Sequence, residues 1–178
     1  AIYVAWMKDN GALRFKSFTV ALDGTVGAGP TTTLLSSTSA SNPHIDAAAK
    51  RVVIGYDDGG SRVLVSQDRG LTFGPETILA PEPGGEPQSA TSSVAVAGRN
   101  ILVEIAEGDC VLCYGIAFSR GYLSTDGGAT WSTTSSHQHS RQVGAFFKQG
   151  SHVRIAEAWD DSQTGELHER IRFHASTL

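Results

Sequence analysis

Two glutamates stand where a carboxylate is costly. Glu104 lies in Ile101-Leu102-Val103-Glu104-Ile105-Ala106 and Glu157 in Val153-Arg154-Ile155-Ala156-Glu157-Ala158-Trp159. An ionised group inside an apolar strand must be paired or line a polar channel. Two carboxylates about 5 to 10 Å apart can also work as acid and base on a glycosidic bond. A second set of acids, Asp57, Asp58, Glu107, Asp109, Asp160 and Asp161, recurs at the ends of apolar segments. For these, turn chemistry is the stronger reading, because Asp-Asp-Gly and Asp-Asp-Ser favour tight turns and recurrence at every segment marks structure rather than a single site.

Cys110 and Cys113 form C-x-x-C, but Val111-Leu112 and Tyr114 read as strand, whereas redox use of the motif needs a helix N-terminus to lower the thiol pKa. With His137 and His139 they would make a Cys₂His₂ set, yet H-x-H is not the usual ligand spacing, so no metal is expected. A local disulfide between Cys110 and Cys113 is the reading preferred over two free thiols. The remaining histidines, His44, His152, His168 and His174, are scattered. Gly24-Thr25-Val26-Gly27-Ala28-Gly29 has a phosphate loop's glycines without its lysine or helix, so no cofactor is expected.

The elements that must position these residues are strands. Twenty Gly and six Pro punctuate short segments rich in Val, Ile, Thr, Phe and Tyr, and no apolar stripe at helical spacing runs past two turns. The 178 residues have the composition of a globular chain, with 40% hydrophobic residues, which excludes obligatory disorder. Fourteen Lys+Arg against eighteen Asp+Glu, with no basic run, argue against nucleic acid as a partner. The longest apolar run, Ala1 to Met7, is far short of a membrane span.

A repeat organises the strands. Taking Trp6, Tyr56, Ala106 and Trp159 as equivalent gives spacings of 50, 50 and 53. Each marks a strand that runs into an acidic turn, and the following strand ends at a serine: Ser17, Ser66, Ser124 and Ser176. An earlier strand precedes each of the last three, at His44–Ala48, Ser93–Ala97 and Val143–Phe147, and Glu76–Leu79 begins a later one. Four antiparallel strands per unit of about 50 residues is the blade of a β-propeller. The expected fold is therefore all-β, a propeller segment with units at approximately 1–38, 39–85, 86–140 and 141–178. The proline-rich stretch Pro81–Pro87 keeps the repeat in phase and reads as a loop between blades.

Ser66-Gln67-Asp68-Arg69-Gly70-Leu71-Thr72-Phe73 and Ser124-Thr125-Asp126-Gly127-Gly128-Ala129-Thr130-Trp131 both fit S-x-D-x-G-x-T-(W/F). This pattern resembles the Asp-box, or bacterial neuraminidase repeat, and the chain is similar to the sialidase-like propellers. Ser17 stands where a third box would begin, but Phe18-Thr19-Val20 follows; Ser176 stands where a fourth would begin. The resemblance implies a structural role for Ser66, Asp68, Gly70, Thr72, Phe73, Ser124, Asp126, Gly128, Thr130 and Trp131, at hairpin turns remote from the ligand face. It also implies an extracytoplasmic location and a central funnel, which Glu104 and Glu157 are the candidates to face.

A working sialidase would show an arginine triad, an Arg-Ile-Pro motif, a nucleophilic Tyr with a Glu partner and an acid/base Asp. None of the six prolines follows an isoleucine, and none of the ten arginines maps to the triad by motif. The expectation is a non-catalytic binding or scaffold module that docks to a protein partner or a glycan. The alternatives are a glycoside hydrolase whose catalytic residues are unrecognised or lie in other blades, and a lectin. The repeat count, about three and a half blades, leads to the further expectation of a larger 6- or 7-bladed propeller. Its remaining blades, or another subunit, would cover the open ends.

Overall fold

The computed structural model describes residues 1–36, 40–81, 89–108, 116–138, 142–149, 152–160 and 167–177. Every regular element among them is a β-strand. The first sheet contains β1 (Ile2–Met7), β2 (Leu13–Val20) and β3 (Val26–Thr33). The second contains β4 (Ser41–Ala48), β5 (Arg51–Asp57), β6 (Gly60–Ser66) and β7 (Thr77–Pro81). The third contains β8 (Ser89–Ala97), β9 (Asn100–Gly108), β10 (Ile116–Ser124) and β11 (Ser132–Gln138), and the fourth β12 (Gln142–Gln149), β13 (His152–Asp160) and β14 (Leu167–Thr177). In each sheet, strands adjacent in sequence are hydrogen-bonded neighbours and antiparallel, so every sheet is a meander. One sheet falls in each repeat unit.

Successive sheets pack against one another, and the sequence of each strand follows from how many of its faces are covered. The first interface joins Leu13 and Phe15 to Val52, Ile54, Tyr56 and Leu64. The second joins Val53, Val63 and Leu79 to Val96, Ile101, Val103 and Ile105. The third joins Ala95, Leu102 and Leu123 to Ile155 and Phe146. The middle strands β5 and β9 are therefore buried on both faces; β5 carries an unbroken apolar run from Val52 to Tyr56, and that of β9 is interrupted by Glu104. In β1 the flanking face shows instead, since Ile2 and Val4 are exposed while Tyr3 and Ala5 reach the core. Among the described residues no apolar cluster joins the first sheet to the fourth.

One strand end differs from expectation. The sequence places the end of the first unit's serine strand at Ser17, but β2 continues to Val20. Without the aspartate of a box there is no side chain to fold the turn back. Phe18-Thr19-Val20 keeps extended geometry past a bulge between Lys16 and Phe18. The reversal comes later, where the Thr25 amide donates to Asp23 Oδ1 at 2.9 Å and Gly24 takes φ 85°. Of the proline-rich stretch only Pro81 is described, as the last residue of β7.

Candidate functional site

The two boxes fold into turns with the same hydrogen-bond pattern. The Ser66 hydroxyl donates to Asp68 Oδ1 at 2.8 Å and accepts from the Gly70 amide at 2.8 Å. Asp68 Oδ1 also takes the Thr72 amide at 2.9 Å, and its Oδ2 takes the Thr72 hydroxyl at 2.6 Å. In the second box Ser124 and Asp126 repeat the pattern at 2.8 Å, Gly128 donates to Ser124 at 2.8 Å, and Thr130 donates from its amide at 2.9 Å and its hydroxyl at 2.6 Å. Hydrogen bonds to the charged form hold both carboxyls down, Asp68 at about 2 and Asp126 lower still. The left-handed residues are Arg69 and Gly70 in one box and Gly127 and Gly128 in the other.

Each box locks to the hairpin beside it and to the preceding sheet. Arg69 N donates to Lys50 O at 2.7 Å, and Gly127 N to Arg99 O at 2.9 Å. A Cβ on Gly70 would lie 2.5 Å from Phe15 Cζ, and one on Gly128 would lie 2.9 Å from Val65 Cγ2. The box aromatics fill the same spaces: Phe73 meets Phe15 edge-to-face at 5.1 Å in the first interface, and Trp131 packs in the second. The box residues thus close the two turns and pack against the preceding sheets.

Glu104 and Glu157 come together in the third interface, 0% and 2% exposed. Glu104 pairs with Ser93 and Gly121 in its sheet, and Glu157 with Gly144 and Arg170. Gln142, fully buried, donates its amide to Glu104 Oε2 and accepts the Ser119 hydroxyl at 3.1 Å. Oε1 of Glu104 lies against Gly144, whose missing side chain makes room: a Cβ there would come within 2.8 Å of that oxygen and 2.4 Å of Leu102 Cδ2. Burial first, and then the Glu157 charge, push the Glu104 carboxyl up to about 8, against the opposing pull of the Gln142 amide. Glu104 is thus enclosed between the two sheets, with Gln142 bonded to its Oε2 and no partner on Oε1 among the described residues.

Of the strand-end acids, Asp57 ties the second sheet to the third. Asp57 accepts the Thr91 amide at 2.9 Å across the second interface, together with the hydroxyl of Ser61 at 3.1 Å and the Asn42 amide at 3.2 Å. Burial raises its carboxyl despite these bonds. Glu107 faces Arg120 at 3.6 Å. Sequence reasoning missed Asp46, whose Oδ2 takes the Val96 amide at 2.7 Å, and the Tyr56–Glu76 pair. Tyr56 donates to Glu76 at 2.6 Å, and Glu76 also meets Arg62 at 2.6 Å. Burial and the Glu76 carboxylate raise the phenol, the wrong direction for a nucleophile. Only the apolar-strand context of Tyr56 and the spacing of Glu76 hint at this pair.

Trp6, Tyr56 and Trp159, equivalent in the repeat, face the side of the preceding sheet. Tyr56 packs in the first interface, and Trp159 stacks on His137 of the third sheet at 4.2 Å and on His168 at 5.7 Å. Trp6 faces the other way from Tyr3, Ala5 and Met7 and is absent from the first cluster, because no described sheet covers that side of β1. Of the two tryptophans at this repeat position, Trp159 packs against a neighbouring sheet and Trp6 does not among the described residues. Cys110, Cys113, Asp109, Asp161 and His139 lie outside the described residues. No group of three metal-ligating side chains occurs among the described residues, and no described helix is long and apolar enough to cross a membrane.

Compared with models of known protein families and with curated proteins, the chain matches none.

Proposed function

We propose that the chain forms blades of a sialidase-like β-propeller and serves as a binding or scaffold module, docking through its loops and sheet edges to a partner protein or a glycan. Two box turns of matching geometry, at the same phase of a 50-residue repeat of stacked antiparallel meanders, support the blade reading. A fold of this kind hosts many functions, so the site has to argue the activity. The observation that carries the non-catalytic reading is how the described groups with displaced protonation are used. Asp68 and Asp126 close turns, Asp57 joins sheets, and Glu104 is sealed between sheets with Gln142. Tyr56 is buried with its phenol on Glu76.

Assay of the chain against fluorogenic sialosides and other glycosides should give no turnover above background. Turnover abolished by a single carboxylate change would replace this reading with glycoside hydrolysis. Glycan-array binding without turnover would narrow it to a lectin. An extracytoplasmic location belongs to the same proposal, and a Cys110–Cys113 disulfide would support it. Intact mass with and without reductant should differ by two hydrogens, and two free thiols would remove that support.

A further inference from the structure

At the end of the sheets that carries the two box turns, cations recur at equivalent positions. Lys50 and Arg99 stand in the β4–β5 and β8–β9 turns, and each gives its carbonyl to a box amide, that of Arg69 and that of Gly127. Arg69 keeps a long side chain at φ 66°, a left-handed geometry that its counterpart Gly127 meets without one. Arg51 fills the space that Gly127 leaves, its Nη2 lying 2.8 Å from where a Cβ would be. Each box turn is thus flanked by two cations, Lys50 and Arg69 at the first and Arg99 and Arg51 at the second.

A recess of about 420 Å³ connects the two pairs. Lys50, Gln67, Asp68 and Arg69 line it, and Gln67 Oε1 accepts from Arg51 Nη2 at 3.4 Å. Arg51 also donates to Gly98 O, and Arg99 to Asp126 O at 3.3 Å, both of them neutral backbone carbonyls. Among the described residues none of the four cations is ion-paired, whereas Arg62 and Arg120, at the opposite end of the sheets, face Glu76 and Glu107. Asp68 and Asp126 direct their oxygens to the hydroxyls and amides of their own turns. Lys50, Arg69 and Arg99 are exposed. Burial and the neighbouring Arg99 charge lower the Arg51 guanidinium, as expected where cations crowd.

We infer that this end of the second and third sheets is an anion-binding track, taking a linear acidic polysaccharide whose sulfate or carboxylate groups sit between Lys50 and Arg69 and along Arg51 and Arg99. This rests on the docking proposal above and names its ligand class. Stacked sheets lie on the order of 10 Å apart, so the two pairs suit charges repeated along a chain better than one isolated anion. Guanidinium forks bind such oxyanions two oxygens at a time. The recess has no aromatic or aliphatic lining residue. It therefore lacks both the anchors of a protein interface and a ring on which a nucleic-acid base could stack.

Titration calorimetry of the 178-residue chain with a heparin-derived oligosaccharide should show saturable binding that weakens steeply as salt is raised. Lys50→Gln combined with Arg69→Gly should weaken it about tenfold. Glycine is what the second box already carries at that position, so the melting temperature should not fall, which separates lost binding from lost fold. Arg99→Gln should weaken binding as well, whereas Lys8→Gln, an equal change of charge beyond the far end of β1, should leave it unchanged. Absence of saturable binding, indifference to the paired change or to Arg99→Gln, or an equal loss with Lys8→Gln would overturn the inference. So would tighter binding of a poly-glutamate peptide or of single-stranded DNA of matched charge. Glycoside turnover, by contrast, would defeat the scaffold reading and leave the titration to decide the anion track by itself.

Discussion

Solvent decides the direction in which each carboxyl moves. The box aspartates are exposed, with their charge met by amides and hydroxyls, and are held low; Glu104 is cut off from water beside a second acid and is held high. The consequences for stability have opposite signs. A carboxyl raised in the fold favours folding most when protonated. Its contribution is therefore complete below the ordinary glutamate value of 4.5 and is lost as pH rises towards about 8. Glu104→Gln keeps an acceptor for Gln142 and removes the charge. It should stabilise the chain at pH 8.5 by on the order of a few kcal/mol, with the difference shrinking towards zero at pH 4, as read from urea melts at both values. Asp68 gives the reverse: its stabilisation is present above the ordinary aspartate value of 3.8 and fades as pH falls through about 2. Asp68→Asn should lower the melting temperature at pH 7 and lose most of that penalty at pH 2.

At the scale of elements, the box turn is the unit that carries over between sheets, and its glycine serves both backbone and packing. Gly70 takes φ 81° with Phe15 directly above it. Gly70→Ala meets both penalties, and a destabilisation of about 2–4 kcal/mol is expected from a left-handed alanine plus overpacking. Phe15→Leu in the same chain should recover part of it, whereas Val65→Ala, at the other box, should not. A double-mutant cycle on denaturant melts separates the two outcomes. The β12 edge has a comparable device. Gly144→Ala places a methyl against Leu102 and Glu104, and should loosen the fourth sheet from the third while leaving the first interface intact. Faster hydrogen exchange in β12 and β13 with unchanged exchange in β5 is the expected pattern.

On the scale of the whole molecule, stability is concentrated in the middle. Val52, Val53, Ile54, Ile101, Val103 and Ile105 are all 0% exposed, and their strands are covered on both faces. Native-state hydrogen exchange should therefore find the slowest amides in β5 and β9 and faster ones in β1 and β3, because local opening costs least where one face meets water. Equal protection of β1 and β5 would mean that the flanking face of the first sheet is covered in solution.

The strand class, the repeat phase and the box turns were legible in the amino-acid sequence because they depend on local chemistry. β-branched runs cut by glycine make strands, and a serine, an aspartate, a glycine and a threonine within seven residues satisfy one another whatever lies around them. The first unit shows the limit of that reading, since Ser17 without an aspartate did not end its strand. The role of Glu104 and Glu157 was not legible. Their placement in apolar strands announced a cost, but only the stacking of the fourth sheet on the third shows that they lie together there and that Gln142, 38 residues from Glu104, bonds its Oε2. The Tyr56–Glu76 pair and the facing of Trp6 belong to the same class. Which side of a strand meets protein, and which side chain completes a buried polar group, depend on contacts far apart in the chain, and tertiary packing alone fixes them.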